Sequence, residues 1–216
     1  MTATGNGPTL LSVGHGARPL EAFLDLLNGG EVRLLVDVRT APGSRKHPHF
    51  GRESLAASLR ESGVDYRWER ALGGWRKPRP DSHHTGLRSA GFRGYADHMD
   101  TEEFAHALDR LIASGAERRT AFMCSESLWW RCHRRLLSDA LLVRGCEVFH
   151  LMERGKLERH RLTRSARVVD ARLVYDIEEG RQEQLRPERS APRPRVMGRT
   201  ARRPRRAPEE PTGPEP

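Results

Sequence analysis

The residue types most suited to chemistry are concentrated in residues 124–134, which contain two thiols, a carboxylate and an imidazole. An apolar run before them predicts a strand over residues 120–123, and the apolar spacing after them predicts a helix over residues 128–144. A strand that leads into a helix N-terminus favours negative charge, because unpaired backbone N–H groups and the helix dipole face that junction. The same field would lower the pKa of a thiol there. We therefore expect Cys124 or Glu126 to be the reactive group.

A nucleophilic cysteine needs a proton carrier and a binding site for its substrate. We expect His15 or His133 to carry the proton and Glu126 to orient the histidine. Arginine binds phosphate well, because its fork of N–H donors matches the phosphate oxygens. The arginines expected to hold an anionic group are Arg39, Arg45, Arg131 and Arg134.

The same segment allows two other interpretations. The ligands of a zinc site would be Cys124, Cys132 and His133, with His15 or His150. Seven residues separate the two cysteines, which is not a standard ligand spacing, and adjacent side chains on a helix point about 100° apart. In the third interpretation Cys132 and Cys146 are small buried hydrophobic residues. We therefore assign no metal ligand from the sequence, and the cofactor stays unknown.

Strand and helix patterns alternate along the chain, which predicts an α/β fold. We expect a single domain with a mostly parallel sheet of about five to six strands and helices on both faces. Residues 72–95 are rich in Gly, Pro and His, which predicts a long irregular segment, and residues 167–177 predict an additional strand or hairpin at the sheet edge. On the helix after Cys124 we expect Trp130 to pack in the core.

Polar side chains follow four of the predicted strands. Because ligands of open parallel sheets bind beyond the carboxyl ends of the strands, these side chains should share one pocket. The set consists of His15 after the first strand, Asp37, Arg39, Ser44 and Arg45 after the second, Cys124 and Glu126 after the fourth, and His150 at the end of the fifth.

The ends of the chain differ in composition from the middle. Residues 181–216 are rich in Arg and Pro and contain almost no large apolar side chain, which predicts a disordered tail after a domain at residues 9–180, with a flexible N-terminus at residues 1–8. Such a basic tail can bind nucleic acid through charge alone, although many charged tails are simply solvated. The expected partners are thus an anionic small molecule or nucleic acid.

Cysteine usage and hydropathy indicate the compartment. The three cysteines are no disulfide framework, so a reducing cytoplasm is the expected location. The chain shows neither a secretion signal nor the run of about 20 apolar residues that a membrane span requires, so we expect no membrane partner. The oligomeric state does not follow from the sequence.

Several ordered motifs resemble the family of proteins known as domain of unknown function 488, over about residues 10–165. The motifs are S-V-G-H at residues 12–15, D-V-R at 37–39 with P-x-S-R at 42–45, L-G-G at 72–74, F-x-x-Y-A-x-x-M at 92–99, C-x-E at 124–126 with C-H-R at 132–134, and V-x-H at 148–150. This chain has Gly16 where the family commonly has Ser, and Trp129 where the family commonly has Pro. A weaker, fold-level similarity is to rhodanese-like sulfurtransferases, which also carry a D-x-R strand and a cysteine between a strand and a helix.

The leading hypothesis is an α/β enzyme with an anion-accepting pocket at the carboxyl edge of its sheet, acting on a phosphate-bearing or nucleotide-like molecule. Its alternatives are a non-catalytic nucleic-acid-binding module that uses the basic tail, and a zinc-binding or rhodanese-like sulfur-transfer protein.

Overall fold

A computed structural model of the chain describes residues 7–43, 46–152 and 156–177. The strands in these residues are β1 (Thr9–Gly14), β2 (Leu34–Asp37), β3 (Asp65–Trp68), β4 (Thr120–Cys124), β5 (Glu147–Leu151), β6 (Leu157–Arg159), β7 (Ala166–Val169) and β8 (Arg172–Tyr175). The helices are α1 (Leu20–Gly29), α2 (Arg52–Glu61), α3 (Ala90–Met99), α4 (Glu102–Glu117) and α5 (Arg134–Val143), with short 3₁₀ turns at Pro48–Phe50, Arg70–Leu72 and Trp129–Arg131.

Six strands form one sheet in the order β3-β2-β4-β1-β5-β6. Strands β1 to β5 are parallel, and β6 runs antiparallel along β5. The predicted α/β fold with a mostly parallel sheet is therefore confirmed. The predicted tail at residues 181–216 lies outside the described residues.

The side chains of the sheet contribute to two hydrophobic cores, one on each face. Helices α1 and α2 cover one face, where Phe23 and Leu55 pack against strand residues such as Leu35. Helices α3, α4 and α5 cover the other face, where Phe122 lies at the centre of the larger core. Burial on both faces explains the nearly continuous apolar composition of β2 and β4.

Local sequence signals set several of the element boundaries. Thr101 begins α4 because its Oγ1 accepts a hydrogen bond from the Phe104 N–H at 3.2 Å. Helix α2 ends before Gly63, whose φ of 72° is the left-handed conformation that glycine adopts readily. None of the helices in the described residues is long and apolar enough to cross a membrane.

Two expectations were wrong in part. Residues 73–89 contain no helix or strand, as predicted, but helix α3 begins at Ala90, inside the segment predicted to be irregular. Gly94 within α3 serves close packing and not a turn: a Cβ there would lie 2.3 Å from the Arg76 carbonyl oxygen. The hairpin of β7 and β8 forms a separate two-stranded sheet, and β6 is the edge of the main sheet. The hairpin turns at Asp170 and Ala171, which both have positive φ, as a type I′ turn requires.

A buried hydrogen-bond network joins this hairpin to the sheet and to α5. Asp139 is fully buried and accepts hydrogen bonds from the His160 Nε2–H at 2.9 Å, the Thr163 N–H at 2.9 Å and the Tyr175 hydroxyl at 3.0 Å. Because the carboxylate can only accept, His160 Nε2 carries a proton, and His160 Nδ1 lies 3.0 Å from His150 Nε2, which extends the network to β5.

Replacing Asp139 should therefore destabilise the fold strongly. We expect Asp139→Ala to lower the free energy of unfolding by at least about 3 kcal/mol, because three donors lose their acceptor. The control is Asp109→Ala, which removes only an exposed ion pair with Arg144 and should cost less than about 1 kcal/mol. Urea denaturation of both variants measures the difference, and equal losses would contradict the role assigned to Asp139.

Candidate functional site

The crevice between the ends of β1 and β4 is where the topology places a ligand site. The loop after β1 leads to α1 on one face of the sheet and the loop after β4 leads to α5 on the other face, so the loops after these two neighbouring strands separate and open a crevice. Backbone pairing continues past the strands: the His15 N–H donates to the Cys124 carbonyl at 3.1 Å and the Gly16 N–H to the Ser125 carbonyl at 2.9 Å. This pairing holds the His15 backbone beside Cys124.

A pocket of about 260 Å³ lies at this point. Its lining comes from the loops after β1, β2 and β4 and from the segment after the Arg70–Leu72 turn. The lining residues are His15, Gly16, Arg39, Thr40, Ala41, Gly43, His47, Gly74, Trp75, Cys124, Ser125 and His133.

The Asp37 carboxylate fixes the Arg39 side chain behind the pocket. It accepts from the Arg39 backbone N–H at 3.0 Å, from Arg39 Nε at 2.9 Å and from the Tyr66 hydroxyl at 2.7 Å. Both members of this ion pair are buried, and Arg39 Nη1 also donates to the Phe50 carbonyl at 2.9 Å. The charge of Arg39 is thus largely balanced inside the protein, which reduces its pull on an anion in the pocket.

His15 presents a neutral imidazole to the pocket. Burial, followed by the charge of Arg39, lowers its pKa to about 4. Its Nδ1–H donates to the Gly16 carbonyl at 2.9 Å, which leaves Nε2 to accept from Arg39 Nη1 at 3.4 Å. The ring stacks on Phe50 at 4.0 Å between centroids.

The imidazole of His133 faces two sulfur atoms. Its Nδ1 lies 3.5 Å from Cys132 Sγ and 4.0 Å from Cys124 Sγ, while its Nε2 lies 3.1 Å from the Val38 carbonyl oxygen. A carbonyl only accepts, so Nε2 donates a proton to Val38, and Nδ1 is the nitrogen that faces the thiols. This arrangement suits a proton acceptor and equally a metal ligand.

The pair of thiols loses its first proton easily and its second proton with difficulty. The hydrogen bond from the Cys124 thiol, helped by the charge of Arg134, lowers the pKa of Cys132 to about 6. The same hydrogen bond, together with burial, raises the pKa of Cys124 to about 12. The expected lowering of the Cys124 pKa is therefore wrong, and the more acidic thiol is Cys132.

The helix N-terminus acts on Cys132 and not directly on Cys124. Helix α5 begins at Arg134 and not near residue 128, and a 3₁₀ turn at Trp129–Arg131 separates it in sequence from Cys124. The backbone N–H of Arg134, at the start of α5, donates to the Cys132 thiol and adds to the lowering of its pKa. The shorter helix also corrects the expectation for Trp130, whose side chain is 42% exposed, whereas Trp129 stacks on His150 at 4.0 Å.

Arg134 is a buried cation that holds the loop after β4. Its side chain is 1% exposed, and it donates to Ser12 Oγ at 3.2 Å and to the carbonyl oxygens of Glu126 and Ser127. In the described part of the chain no carboxylate lies within ion-pair distance of it. Gly14 permits this close approach, because a Cβ there would lie 2.0 Å from the Glu126 carbonyl oxygen.

Comparison with known proteins gives the family. The sequence model of the domain of unknown function DUF488 matches residues 19–141, which is more than half of the chain. The chain belongs to the DUF488 family. No curated protein and no solved structure matches it. The weaker similarity to rhodanese-like proteins finds no support in these comparisons.

The DUF488 fold brings some of the predicted site residues together and separates others. His15, Arg39, Cys124 and His133 line the pocket, and Asp37 lies directly behind it. Ser44 and Arg45 lie outside the described residues, while three further predicted residues point elsewhere. The Glu126 carboxylate is exposed and accepts from the Leu128 N–H, Arg134 holds the loop from inside, and His150 belongs to the buried network of Asp139.

One side of the pocket is formed by Thr40, Gly74 and Trp75, which are not among the predicted site residues. The Thr40 hydroxyl donates to the Gly74 carbonyl at 2.8 Å, and a Cβ at Gly74 would lie 2.8 Å from His133 Nδ1. The glycine pair of the DUF488 L-G-G motif is the signal that could have located this wall, because paired glycines often permit close backbone approach.

The thiol pair of this DUF488 protein should titrate in a distinctive way. With a chelator present, so that only protons compete for sulfur, we expect one thiolate per chain to appear as the pH rises through about 6, because the pKa of Cys132 is lowered. Ultraviolet thiolate absorbance measures this step. Cys132→Ser should abolish it, and Cys146→Ser, the control, should keep it; a step that survives Cys132→Ser would refute the assignment.

Proposed function

We propose that this DUF488 protein is a cysteine-dependent enzyme that binds a phosphate-bearing, nucleotide-like substrate in the pocket and attacks it with Cys124. The observation that carries the proposal is the position of His133 Nδ1, 3.5 and 4.0 Å from the two sulfur atoms with its other nitrogen held by Val38. Cys124 is the nucleophile because it lines the pocket, whereas Cys132 does not.

Proton transfer follows from the contacts of the thiols. When Cys124 Sγ forms a bond to the electrophilic atom of the substrate, its proton passes along the hydrogen bond to the Cys132 thiolate and from there to His133 Nδ1, and the bond to the leaving group breaks with its electron pair. The imidazolium then returns the proton to the leaving group, and water releases the covalent product. Cys132, as a thiolate, stabilises the imidazolium formed in the first step.

The described lining of the pocket offers little unbalanced positive charge, so hydrogen-bond donors must bind most of the negative charge of the substrate. Because Asp37 balances the charge of Arg39, the Arg39 guanidinium orients the substrate more than it attracts it. Arg45, two positions after the lining residue Gly43, remains the predicted source of an unbalanced positive charge. The neutral His15 lines the same pocket without adding charge.

Alkylation of the thiols tests this proposal. Cys132 is the more acidic thiol, but only Cys124 lines the pocket, so access decides the reaction. We expect iodoacetamide to modify Cys124 faster than Cys132 or Cys146 at neutral pH, and nucleoside monophosphates to slow the reaction. His133→Gln should reduce the rate at Cys124 by at least about tenfold, because the proton acceptor is lost. The matched control is His106→Gln on α4, which lies outside the pocket. Preferential modification of Cys132, or no effect of any phosphorylated molecule, would refute the proposal.

Zinc binding is the second candidate function, and the spacing of three donor atoms favours it. The sulfur atoms of Cys124 and Cys132 and a ring nitrogen of His133 all lie within 4.8 Å of one another. Ligand S and N atoms around a tetrahedral zinc lie about 3.6 Å apart, close to the distances seen here. The divergence of about 100° between adjacent helical side chains does not apply to Cys132 and His133, because Cys132 is extended and precedes α5. The pocket side of Cys124 would leave the fourth position open.

Metal content separates the two candidates. If zinc is the function, the purified protein should contain close to one zinc per chain, and Cys132→Ser should remove it while Cys146→Ser does not. Zinc would then protect Cys124 from alkylation until a chelator is added. Elemental analysis showing less than roughly a tenth of a zinc per chain, with Cys124 alkylated equally before and after chelation, would exclude the zinc site.

A further inference from the structure

Trp75 is the most exposed large hydrophobic side chain in the described residues. Its side chain is 89% exposed, and it lines the pocket that contains Cys124 and His15. An indole has the largest apolar surface of any side chain, so leaving it in water forgoes a considerable hydrophobic gain. The position beside the pocket makes a binding role the natural explanation.

The backbone before Trp75 is fixed on both sides. A Cβ at Gly73 would lie 2.7 Å from Thr40 Oγ1, and one at Gly74 would lie 2.8 Å from His133 Nδ1. The Thr40 hydroxyl also donates to the Gly74 carbonyl at 2.8 Å. The chain therefore passes closely between Thr40 and His133 and presents Trp75 from a constrained position.

Trp75 itself adopts an unfavourable backbone conformation. Its φ is 52°, in the left-handed region that residues with large side chains rarely adopt. Among the described residues its ring makes no hydrogen bond, stacking contact or cation contact that would compensate for this. Strained residues that persist without internal compensation are concentrated at binding and catalytic sites.

We propose that Trp75 is the stacking surface for the base of a nucleotide substrate, whose phosphate end reaches the pocket beside Cys124. This inference rests on the proposed function and specifies its substrate class. Every nucleobase has a flat π face, so an exposed indole on a constrained backbone binds it without needing a matching set of hydrogen bonds. The sugar then spans the distance between the ring and the thiol.

Protection of Cys124 from alkylation measures the binding of each probe. The probes are the four common nucleoside monophosphates and ribose 5-phosphate, which has the same phosphate and sugar but no base. We expect the best nucleotide to protect at least about fivefold more tightly than ribose 5-phosphate. Trp75→Ala should remove this difference, and Trp75→Phe should keep most of it.

A matched variant and the probe without a base separate the possible outcomes. Trp130→Ala removes a second exposed indole, 42% exposed and outside the pocket lining, and should behave as the unaltered protein does. If ribose 5-phosphate protects as tightly as every nucleotide, or Trp75→Ala weakens all probes alike, the stacking role is refuted while the proposed function stands. If no probe protects Cys124, the proposed function fails together with the inference.

Discussion

The buried guanidinium of Arg134 is the interaction on which the arrangement of the pocket depends. It joins Ser12 of β1 to the carbonyl oxygens of the loop after β4, and only a glycine at position 14 leaves room for it. A buried cation without a carboxylate partner in the described chain is costly, and its field favours an anion nearby. The Cys132 thiol, whose pKa this charge helps to lower, is the group that can supply one. Arg134 therefore fixes the position of the loop and also adds to the acidity of the Cys132 thiol, which depends first on the hydrogen bond from Cys124.

The fold followed from the sequence where local pattern and tertiary environment agree. Apolar strands covered on both faces and helices with regular apolar spacing predicted a parallel α/β sheet. The pattern failed where a residue type serves a different purpose: Gly94 gives α3 close contact with the Arg76 backbone, although glycine usually indicates a turn. The separate hairpin of β7 and β8 depends on long-range packing of Tyr175 against α5, which no local window contains.

The site was predictable to the extent that strand polarity determines it. The ends of β1, β2 and β4 brought His15, Arg39 and Cys124 to one pocket, since parallel strands end at the same edge. Glu126 and His150 also follow strands but point elsewhere: Glu126 accepts from the Leu128 N–H of its own loop, and His150 contacts His160 in the buried network of Asp139. Trp75 comes from a segment that approaches the pocket from another side, and the spacing of strand ends contains no information about it.

The stacking of Trp129 on His150 couples the cysteine loop to the far side of the sheet. The indole lies in the loop between the two cysteines, yet it covers a histidine whose other neighbour is His160, in the network that Asp139 anchors. A rearrangement of the cysteine loop that moved the indole would uncover that histidine, so two imidazole rings connect the loop to the buried carboxylate of α5.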